Sequence, residues 1–214
     1  TIASDKVKIE NASGGPAVAN FTYNGDTSKY VYYTSADESA KPIDPRTTPI
    51  SANANLSYVR IAPSTLQTIT LDGEGVTVSA PGNQAYPGTD VTATATAPAG
   101  KRFEGWDVSE NVKGNLVGNA DLTKDTSITF TMPDSAATLK AEYAELHKLK
   151  VECGTMNVTD KTTDVNQKNN QTTTAADAAK GDVVEIEGIN FNPDVKAFDH
   201  WEVKSGKAKL DDPY

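Results

Sequence analysis

Cysteine and histidine side chains are scarce in this chain. It holds one cysteine, Cys153, and two histidines, His147 and His200. A single cysteine excludes an internal disulfide framework, and because Cys153 follows a predicted strand, the simplest interpretation is a buried, inert thiol. A Cys–Gln thioester, known in some surface adhesins, has no identified partner residue here. We therefore expect no nucleophilic catalysis from these residues.

A metal site at Asp199, His200 and Glu202 is a possible interpretation of their proximity in the sequence. Neighbouring residues of a strand face alternate sides, so these three side chains cannot converge on one ion without distortion. His147 falls in a predicted linker, Ala144–His147, and is expected to be solvated. The sequence therefore predicts no metal ligands in this region.

Carboxylates are plentiful but have no catalytic pattern. Asp107, Glu110, Asp121 and Asp125 flank a long loop and could hold Ca²⁺, yet their spacing is not that of an EF-hand, and solvated charge is the simpler interpretation. No carboxylate pair can be placed across a cleft, so a glycosidase mechanism has no geometric support. We predict that the chain is not an enzyme and has no catalytic residue, metal or cofactor.

The elements that would carry these residues include a repeated aromatic box. Phe103–Val108 and Phe198–Val203 share the pattern Phe-x-x-Trp-x-Val, and the two boxes hold both tryptophans, Trp106 and Trp201. Repetition indicates an array of small modules, which favours binding or spacing over catalysis. We take Phe103, Gly105, Trp106, Phe198 and Trp201 as structural markers of the repeat.

The repetition extends upstream of the box. Alternating apolar and polar residues open both copies, and Val76 corresponds to Met156 at an offset of 80 residues. Further along, Gly88 corresponds to Gly181 at an offset of 93, so the second copy carries an insertion. That insertion is predicted to lie within the polar stretch 159–180 and to form a solvated loop.

The first copy continues into two more alternating segments, 127–132 and 137–143, which predict half-buried strands joined by a turn at Pro133–Ser135. The second copy reaches Tyr214 with no equivalent segments. It is predicted to be incomplete at its C-terminal end, with a core open along one edge that could pair with another chain.

The box itself poses a geometric problem. Residues three apart on a regular strand face opposite sides, so Phe103 and Trp106 cannot both enter one core unless a bulge or turn lies at Glu104–Gly105. Gly105 would make that bulge inexpensive because glycine tolerates positive φ. The alternatives are that one ring caps the outer face, or that Trp106 and Trp201 are exposed platforms for sugar rings.

Residues 1–66 match neither copy and also read as strands. An Asn24-Gly25 turn predicts a hairpin between the β-rich runs on either side of it, and the prolines of 42–49 predict an exposed connection. The Val-Tyr-Tyr-Thr run faintly resembles immunoglobulin-like modules. Four tyrosines could contact a ligand, although sheet packing is the more usual role of such cross-strand tyrosines; they are Tyr30, Tyr32, Tyr33 and Tyr58.

Bulk composition agrees with an ordinary globular chain. It has 214 residues, of which 37% are hydrophobic and 23% charged, and a net charge of -9. Negative charge repels phosphate backbones, so we expect no nucleic-acid partner. No apolar stretch approaches the roughly 20 residues that span a bilayer, so we expect no membrane insertion within these residues.

The first copy resembles a known family. The segment from Gly88 to Tyr143 carries Gly-Thr-x-Val, then Pro-Ala-Gly-Lys-Arg-Phe-x-x-Trp, then Thr-Phe-Thr-Met-Pro and a closing Ala-x-Tyr. It resembles the divergent internalin-type B repeat of bacterial cell-surface proteins over roughly 67–143, and 148–214 resembles the repeat in part. This resemblance implies tandem all-β modules, a secreted or wall-attached protein, and a role in stalk building or adhesion.

Together these arguments predict an all-β chain of tandem small modules, sandwich or β-roll/grasp-like, with antiparallel or mixed sheets. The expected domains are 1–66, 67–145 and 146–214. The expected function is an extracellular adhesin or spacer segment at the cell surface or cell wall, with a host or neighbouring-cell glycan or protein as a possible partner. The alternative is an accessory carbohydrate-binding segment of a secreted glycan-degrading enzyme.

Overall fold

The computed structural model describes residues 7–11, 19–23, 28–35, 37–48, 60–152, 154–159, 173–188, 199–207 and 209–210. Strands make up most of the regular structure; they are β1 (Val7–Asn11), β2 (Ala19–Tyr23), β3 (Tyr30–Tyr33), β4 (Arg60–Pro63), β5 (Gln67–Asp72), β6 (Val76–Val78), β7 (Gln84–Ala85), β8 (Asp90–Ala95), β9 (Lys101–Val108), β10 (Ser127–Thr131), β11 (Ala137–Lys150), β12 (Gly154–Thr159), β13 (Ala175–Ala179) and β14 (Val183–Gly188). In the same residues, one α-helical turn, α1, spans Glu110–Lys113. The predicted all-β class is confirmed.

The chain divides into two compact units, Thr1–Tyr143 and Ala144–Tyr214, called unit 1 and unit 2 below. The finer division into three modules stays a prediction. Each unit is described by itself.

Unit 1 contains antiparallel and parallel pairing. β8 lies between β6 and β10 and is antiparallel to both. β5 is antiparallel to β7, and it runs parallel to the start of β11, with Ile69 opposite Ala137. β9 also pairs with β11. The expectation of mixed sheets is therefore confirmed.

The core of unit 1 follows from the alternation of apolar and polar residues. Val91 and Ala93 of β8 face inward, and on β10 they lie opposite Phe130 and Ile128. Phe130 and Ala93 are both 0% exposed. The buried cluster also takes in the inward residues of β5, β9 and β11; it comprises Ile69, Ala80, Ala85, Val91, Ala93, Ala95, Trp106, Val108, Val112, Ile128, Phe130, Met132, Ala137, Leu139 and Ala141.

The turn of the hairpin predicted at Asn24-Gly25 lies outside the described residues. β2 pairs with β1, and β3 pairs with β4, where Tyr32 lies opposite Ile61. Tyr32 also forms an isolated bridge with Ile43 on its other side. β3 buries Val31 and Tyr32 between these two neighbours.

The proline-rich stretch predicted as an exposed connection is instead partly buried. The Asp44 side chain is 8% exposed and accepts hydrogen bonds from Arg46 Nε at 3.0 Å and Nη2 at 2.6 Å. Arg46 Nη2 also donates to Gln84 O at 2.6 Å, and its guanidinium lies 5.3 Å from the ring centre of the fully buried Tyr86. We call Asp44 and Arg46 the clamp, because they fasten this stretch to the strands that follow.

Unit 2 overturns one loop prediction. Ala144–His147, expected as a linker, is part of β11, and Leu146–Lys150 pairs antiparallel with β13. β13 lies within 159–180, the range in which the insertion is predicted, and residues 160–172 of that range lie outside the described residues. The β13 sequence, Ala-Ala-Asp-Ala-Ala, has no large apolar side chains, so it carries no visible alternation. A second antiparallel pair joins β12 to β14.

Candidate functional site

The aromatic box of unit 1 contains the local distortion that the sequence required. Gly105 adopts a φ of 146°, and the following amide, Trp106 N–H, donates to Leu122 O at 2.7 Å. A Cβ on Gly105 would lie 3.0 Å from the same carbonyl oxygen. The chain therefore departs from regular strand geometry between Phe103 and Trp106, as the bulge hypothesis proposed.

Both rings of the box turn to one side as a result. The Phe103 and Trp106 ring centres are 5.7 Å apart in an edge-to-face arrangement, and Phe103 packs against the buried cluster. Trp106 is 7% exposed, and its indole N–H donates to Asp125 O at 2.7 Å. Because protein covers its ring, Trp106 is a core residue and not a platform for sugar stacking.

The box of unit 2 is described only in part, since Phe198 lies outside the described residues. Trp201 is half-buried. Its ring stands over Gly154, where an added Cβ would collide with Trp201 Cη2 and would come within 2.6 Å of Glu187 O. Gly154 is therefore required for the close approach of the indole to β12.

Two of the four candidate ligand tyrosines are engaged within the protein. Tyr32 is 5% exposed, its hydroxyl donates to Thr48 O at 2.9 Å, and burial raises its pKa above the ordinary value. The Arg60 guanidinium lies 3.8 Å from the ring centre of Tyr33 and covers one ring face. Neither ring is arranged as an open stacking surface.

Tyr30 is the candidate tyrosine that borders a surface depression. The depression is open and shallow, and it is lined by Ser28, Lys29, Tyr30, Pro63, Ser64 and Thr65. A backbone hydrogen bond from Ser64 N–H to Lys29 O, 2.9 Å long, holds its two sides together. Tyr58 lies outside the described residues. The four predicted tyrosines are thus not brought together into one site by the part that can be described.

The acidic and histidine residues of unit 2 form separate pairs. His200 Nδ1 lies 2.8 Å from Asp199 Oδ2 on the surface, whereas Glu202 binds Lys204 with a distance of 2.5 Å. The hydrogen bond and charge of Lys204 lower the pKa of Glu202. Within the ranges described, no three His, Cys, Asp or Glu side chains group as metal ligands would. His147 is exposed on β11, and Cys153 lies outside those ranges.

The acidic loop of unit 1 uses its carboxylates to hold its own backbone. Asp121 Oδ1 accepts hydrogen bonds from Thr123 Oγ1 at 2.6 Å and from Thr123 N–H at 2.9 Å, and these bonds lower the pKa of Asp121. Asp125 Oδ2 accepts the N–H of Asp121 at 2.7 Å. Glu110 pairs with Lys113 at 2.6 Å. Loop closure accounts for these contacts without a bound ion.

Two features of the surface were missed from the sequence. One is the clamp, whose only signal was a short Asp-Pro-Arg turn. The other is the outer strand of unit 2, where Val183 is 53% exposed and Val184 is 37% exposed. An alternating strand predicts burial on one face, so the exposure of Val184 could not be anticipated without knowing which strands lie beside it.

Comparisons with known proteins identify one span. Residues 66–147 match the family described as the divergent InlB B-repeat domain, which confirms the resemblance for the first copy. Neither the curated proteins nor the solved structures give a match. None of the helices described here has the length and apolar character needed to cross a membrane. Residues 66–147 are therefore similar to a repeat module of bacterial surface proteins.

Proposed function

We propose that this chain is a non-enzymatic, extracellular segment of a bacterial cell-surface protein, located at the cell surface or in the cell wall. It acts as an adhesin or as a stalk that spaces other domains, with a glycan or protein of a host or neighbouring cell as the partner of an adhesin. The observation that supports the proposal is the match of 66–147 to the divergent InlB B-repeat domain, and similarities in strand pairing between unit 1 and unit 2 extend it.

The first similar feature is the register in which two strands pair. β5 pairs with β7 so that Gln67 lies opposite Ala85, and β11 pairs with β13 so that His147 lies opposite Ala178. The first members of these pairs differ by the sequence offset of 80, and the second members by the offset of 93. The two offsets were chosen at other positions of the sequence. They nevertheless relate one pair of facing strand residues to the other, which is independent support for the alignment.

The second repeated feature is a turn. Gly88 and Gly181 both have positive φ, at 82° and 98°. The residue after Gly88 donates its N–H to Tyr86 O at 3.1 Å, and the residue after Gly181 donates to Ala179 O at 3.2 Å. Positive φ at this position favours glycine, which explains why the glycine recurs.

The third feature is a hairpin with a changed register. β6 pairs antiparallel with β8, where Val78 lies opposite Ala93, and β12 pairs antiparallel with β14, where Val158 lies opposite Val184. When the offsets of 80 and 93 are applied to the first pair, the expected partner of Val158 lies two residues further along β14 than the observed partner, Val184. A shift of two keeps every side chain on its face, so the same pattern can serve both copies.

These features support a second copy of the B repeat at 148–214. In the described part of unit 2, nothing occupies the positions that β10 and the start of β11 hold in unit 1. Small β modules in tandem suit a stalk, because each module contributes a fixed length and requires no chemistry.

Surface labelling of the producing cells tests the location. An antibody against this chain should bind intact cells, and external protease should remove the epitope. Replacing the segment by unrelated β modules of equal number then separates the roles: a stalk keeps cell attachment, whereas an adhesin loses it. Detection of the chain only inside intact cells would refute the proposal.

The depression beside Tyr30 favours a second candidate, an accessory carbohydrate-binding segment of a secreted glycan-degrading enzyme. An aromatic ring beside Pro63 and polar side chains is the type of lining that sugars contact. Glycan-array binding that is lost in Tyr30→Ala and kept in Tyr33→Ala would favour this candidate. Absence of any sugar response would remove it.

A further inference from the structure

The first and last strands of the B-repeat span lie side by side. β5 opens the span of 66–147 and β11 closes it, and the two strands pair so that Ile69 lies opposite Ala137 and Asp72 lies opposite Lys140. They run in the same direction. The points at which the chain enters and leaves the module are therefore joined directly by backbone hydrogen bonds.

The parallel direction fixes how a pull on the chain acts on this pair. Tension from the N-terminal side pulls β5 back toward Gln67, and tension from the C-terminal side pulls β11 forward toward Lys150. In a parallel pair these two pulls point in opposite directions along the strands, so the strands are loaded to slide past each other, that is, in shear. The hydrogen bonds between them share this load and must break in the same movement.

Buried side chains oppose the same movement. Ile69 is 2% exposed, Ala137 and Leu139 are both 0% exposed, and all three belong to the buried cluster of unit 1. Sliding would draw these side chains out of the cluster, at a cost in free energy that grows with the apolar area exposed. Resistance to sliding therefore comes from the core as well as from the backbone.

Neighbouring strands hold the pair on both sides. β7 pairs with β5, where Thr68 lies opposite Gln84, and β9 pairs with β11. Beyond the pair, β11 continues as a strand to Lys150. An extended strand is already close to its full length, so it has little slack with which to absorb a pull before the load reaches the pair.

We propose that the B-repeat module at 66–147 is load-bearing, and that the parallel pair of β5 and β11 resists tension along the chain in shear. This proposal deepens the proposed function and rests on it for its setting, since a segment that holds a cell to its partner, or that spaces an attached domain, is pulled from both sides. Forced opening is governed by the rate of unfolding, so resistance to it does not follow from the free energy of unfolding alone.

Single-molecule force spectroscopy on the full chain tests the proposal. Cys153→Ser removes the native thiol, and Thr65→Cys with His147→Cys supplies attachment points before β5 and far along β11, which we call the shear handles. Both positions are exposed. A handle at Thr65 also bypasses the clamp, which lies earlier in the chain. We expect one opening event that releases about 80 residues, or roughly 280 Å of extended chain less the folded separation of the handles.

A second pair of handles provides the matched control. Thr65→Cys with Asp134→Cys, the peeling handles, attaches near the N-terminal ends of both strands, and Asp134 is also exposed. A pull there opens the same pair from one end, so its bonds break one after another. We expect the shear handles to need at least about twice the force at the same loading rate, since the bonds of four register pairs share the load. Urea denaturation should give the same midpoint for both chains.

Two matched core variants show whether this strand pair carries the load. Ile69→Val on β5 and Ile128→Val on β10 remove the same methylene from side chains that are 2% and 1% exposed. Both should lower the urea midpoint. With the shear handles, Ile69→Val should lower the opening force more than Ile128→Val does, because β10 pairs with β8 and is not a member of the loaded pair.

Equal forces for the two pairs of handles would overturn the proposal. A series of small openings with the shear handles, or an equal loss of force in the two valine variants, would do the same. These measurements concern the module by itself, so such a failure leaves the surface location to be decided by labelling of intact cells. If the force difference holds and the chain is found only inside cells, the proposed function fails while the shear resistance of the module stands.

Discussion

The two units share a hydrogen-bonding pattern but differ in the core built upon it. In unit 1, β8 is enclosed by strands on both edges, and its inward residues are fully buried. In unit 2, the corresponding β14 has one described partner, and the buried apolar residues of the described part are Met156, Ala178 and Ala179. The strand pairing is therefore similar in part between the two units, whereas the buried core is not.

This difference separates two contributions to a β module. Turns and registers are local, since the glycine turn and the pairing before it recur in both units. The core depends on strands that arrive later in the chain, above all β10 and the start of β11. Backbone pairing alone yields little net stability in water, so the burial of apolar side chains should decide how stable each unit is.

The largest effect on stability is expected from removing the Phe130 ring, which completes the core of unit 1. Phe130→Ala removes a side chain that is 0% exposed and faces Val91. We expect the free energy of unfolding of unit 1 to fall by about 3 to 5 kcal/mol, because transfer and cavity costs add. Urea denaturation followed by Trp106 emission, in a Trp201→Phe background, measures this change.

Thr129→Ala, on the same strand, is the matched control for that variant. Thr129 is half-buried, and its hydroxyl lies 2.9 Å from the hydroxyl of Thr92. Its loss should cost about 1 kcal/mol, the usual net value of one hydrogen bond. Similar losses for the two variants would mean that β10 does not close the core as described.

The next largest loss of stability is expected from breaking the clamp, which lies in the part of unit 1 that precedes the repeat. Arg46→Ala leaves the Asp44 carboxylate, 8% exposed, without its guanidinium partner. We expect a loss of about 3 kcal/mol in unfolding free energy, since breaking one side of a buried ion pair is costly. Denaturation of the variant at neutral pH measures it.

Two further variants show whether burial causes the cost of breaking the clamp. Replacing both partners, as Asp44→Leu with Arg46→Met, should restore much of the stability because no buried charge is left. Lys41→Met breaks the exposed pair of Lys41 with Asp90 and should cost no more than about 1 kcal/mol. An Arg46→Ala loss as small as that of Lys41→Met would show that the clamp is not buried in solution.

A third effect compares corresponding positions directly. Val91 is 1% exposed and Val184 is 37% exposed, so truncation to Ala removes more buried surface at Val91. We expect Val91→Ala to destabilise unit 1 by about 2 kcal/mol and Val184→Ala to destabilise unit 2 by less than about 1 kcal/mol. Hydrogen exchange of each unit measures the two losses, and equal losses would mean that Val91 and Val184 do not differ in burial in solution.

The sequence predicts some elements because the information is local. Alternation located β10 and the early part of β11, and the three-residue spacing of Phe103 and Trp106 required a distortion that Gly105 provides. The glycine turns were visible as a repeat. These predictions use only neighbouring residues and the geometry of a strand.

Other features were hidden because they depend on distant partners. β13 has an alanine-rich sequence with no amphipathic signal, and its partner in β11 lies about thirty residues earlier in the chain. β3 pairs with β4, from which residues 34–59 separate it, so no local turn signal could indicate this pairing. The clamp required knowledge that Arg46 reaches Gln84, which no spacing rule supplies.

The smallest effects concern ionisation at the surface of each unit, and they have different causes. Hydrogen bonds from Thr123 lower the pKa of Asp121 in unit 1, whereas the hydrogen bond and charge of Lys204 lower the pKa of Glu202 in unit 2. A lowered folded-state pKa stabilises the fold above the unfolded pKa, and this contribution is lost as pH falls through the folded value. Both groups should therefore favour folding at neutral pH and cease to do so in acid.

Salt distinguishes the two causes. Thr123→Ala should return the pKa of Asp121 toward its usual value, and Lys204→Met should do the same for Glu202. Because salt screens an exposed ion pair more than a short-range hydrogen bond, raising the ionic strength should raise the pKa of Glu202 and leave that of Asp121 nearly unchanged. Side-chain carboxyl NMR titrations at low and high salt measure both groups at once. An equal response to salt would mean that charge, and not loop geometry, governs Asp121.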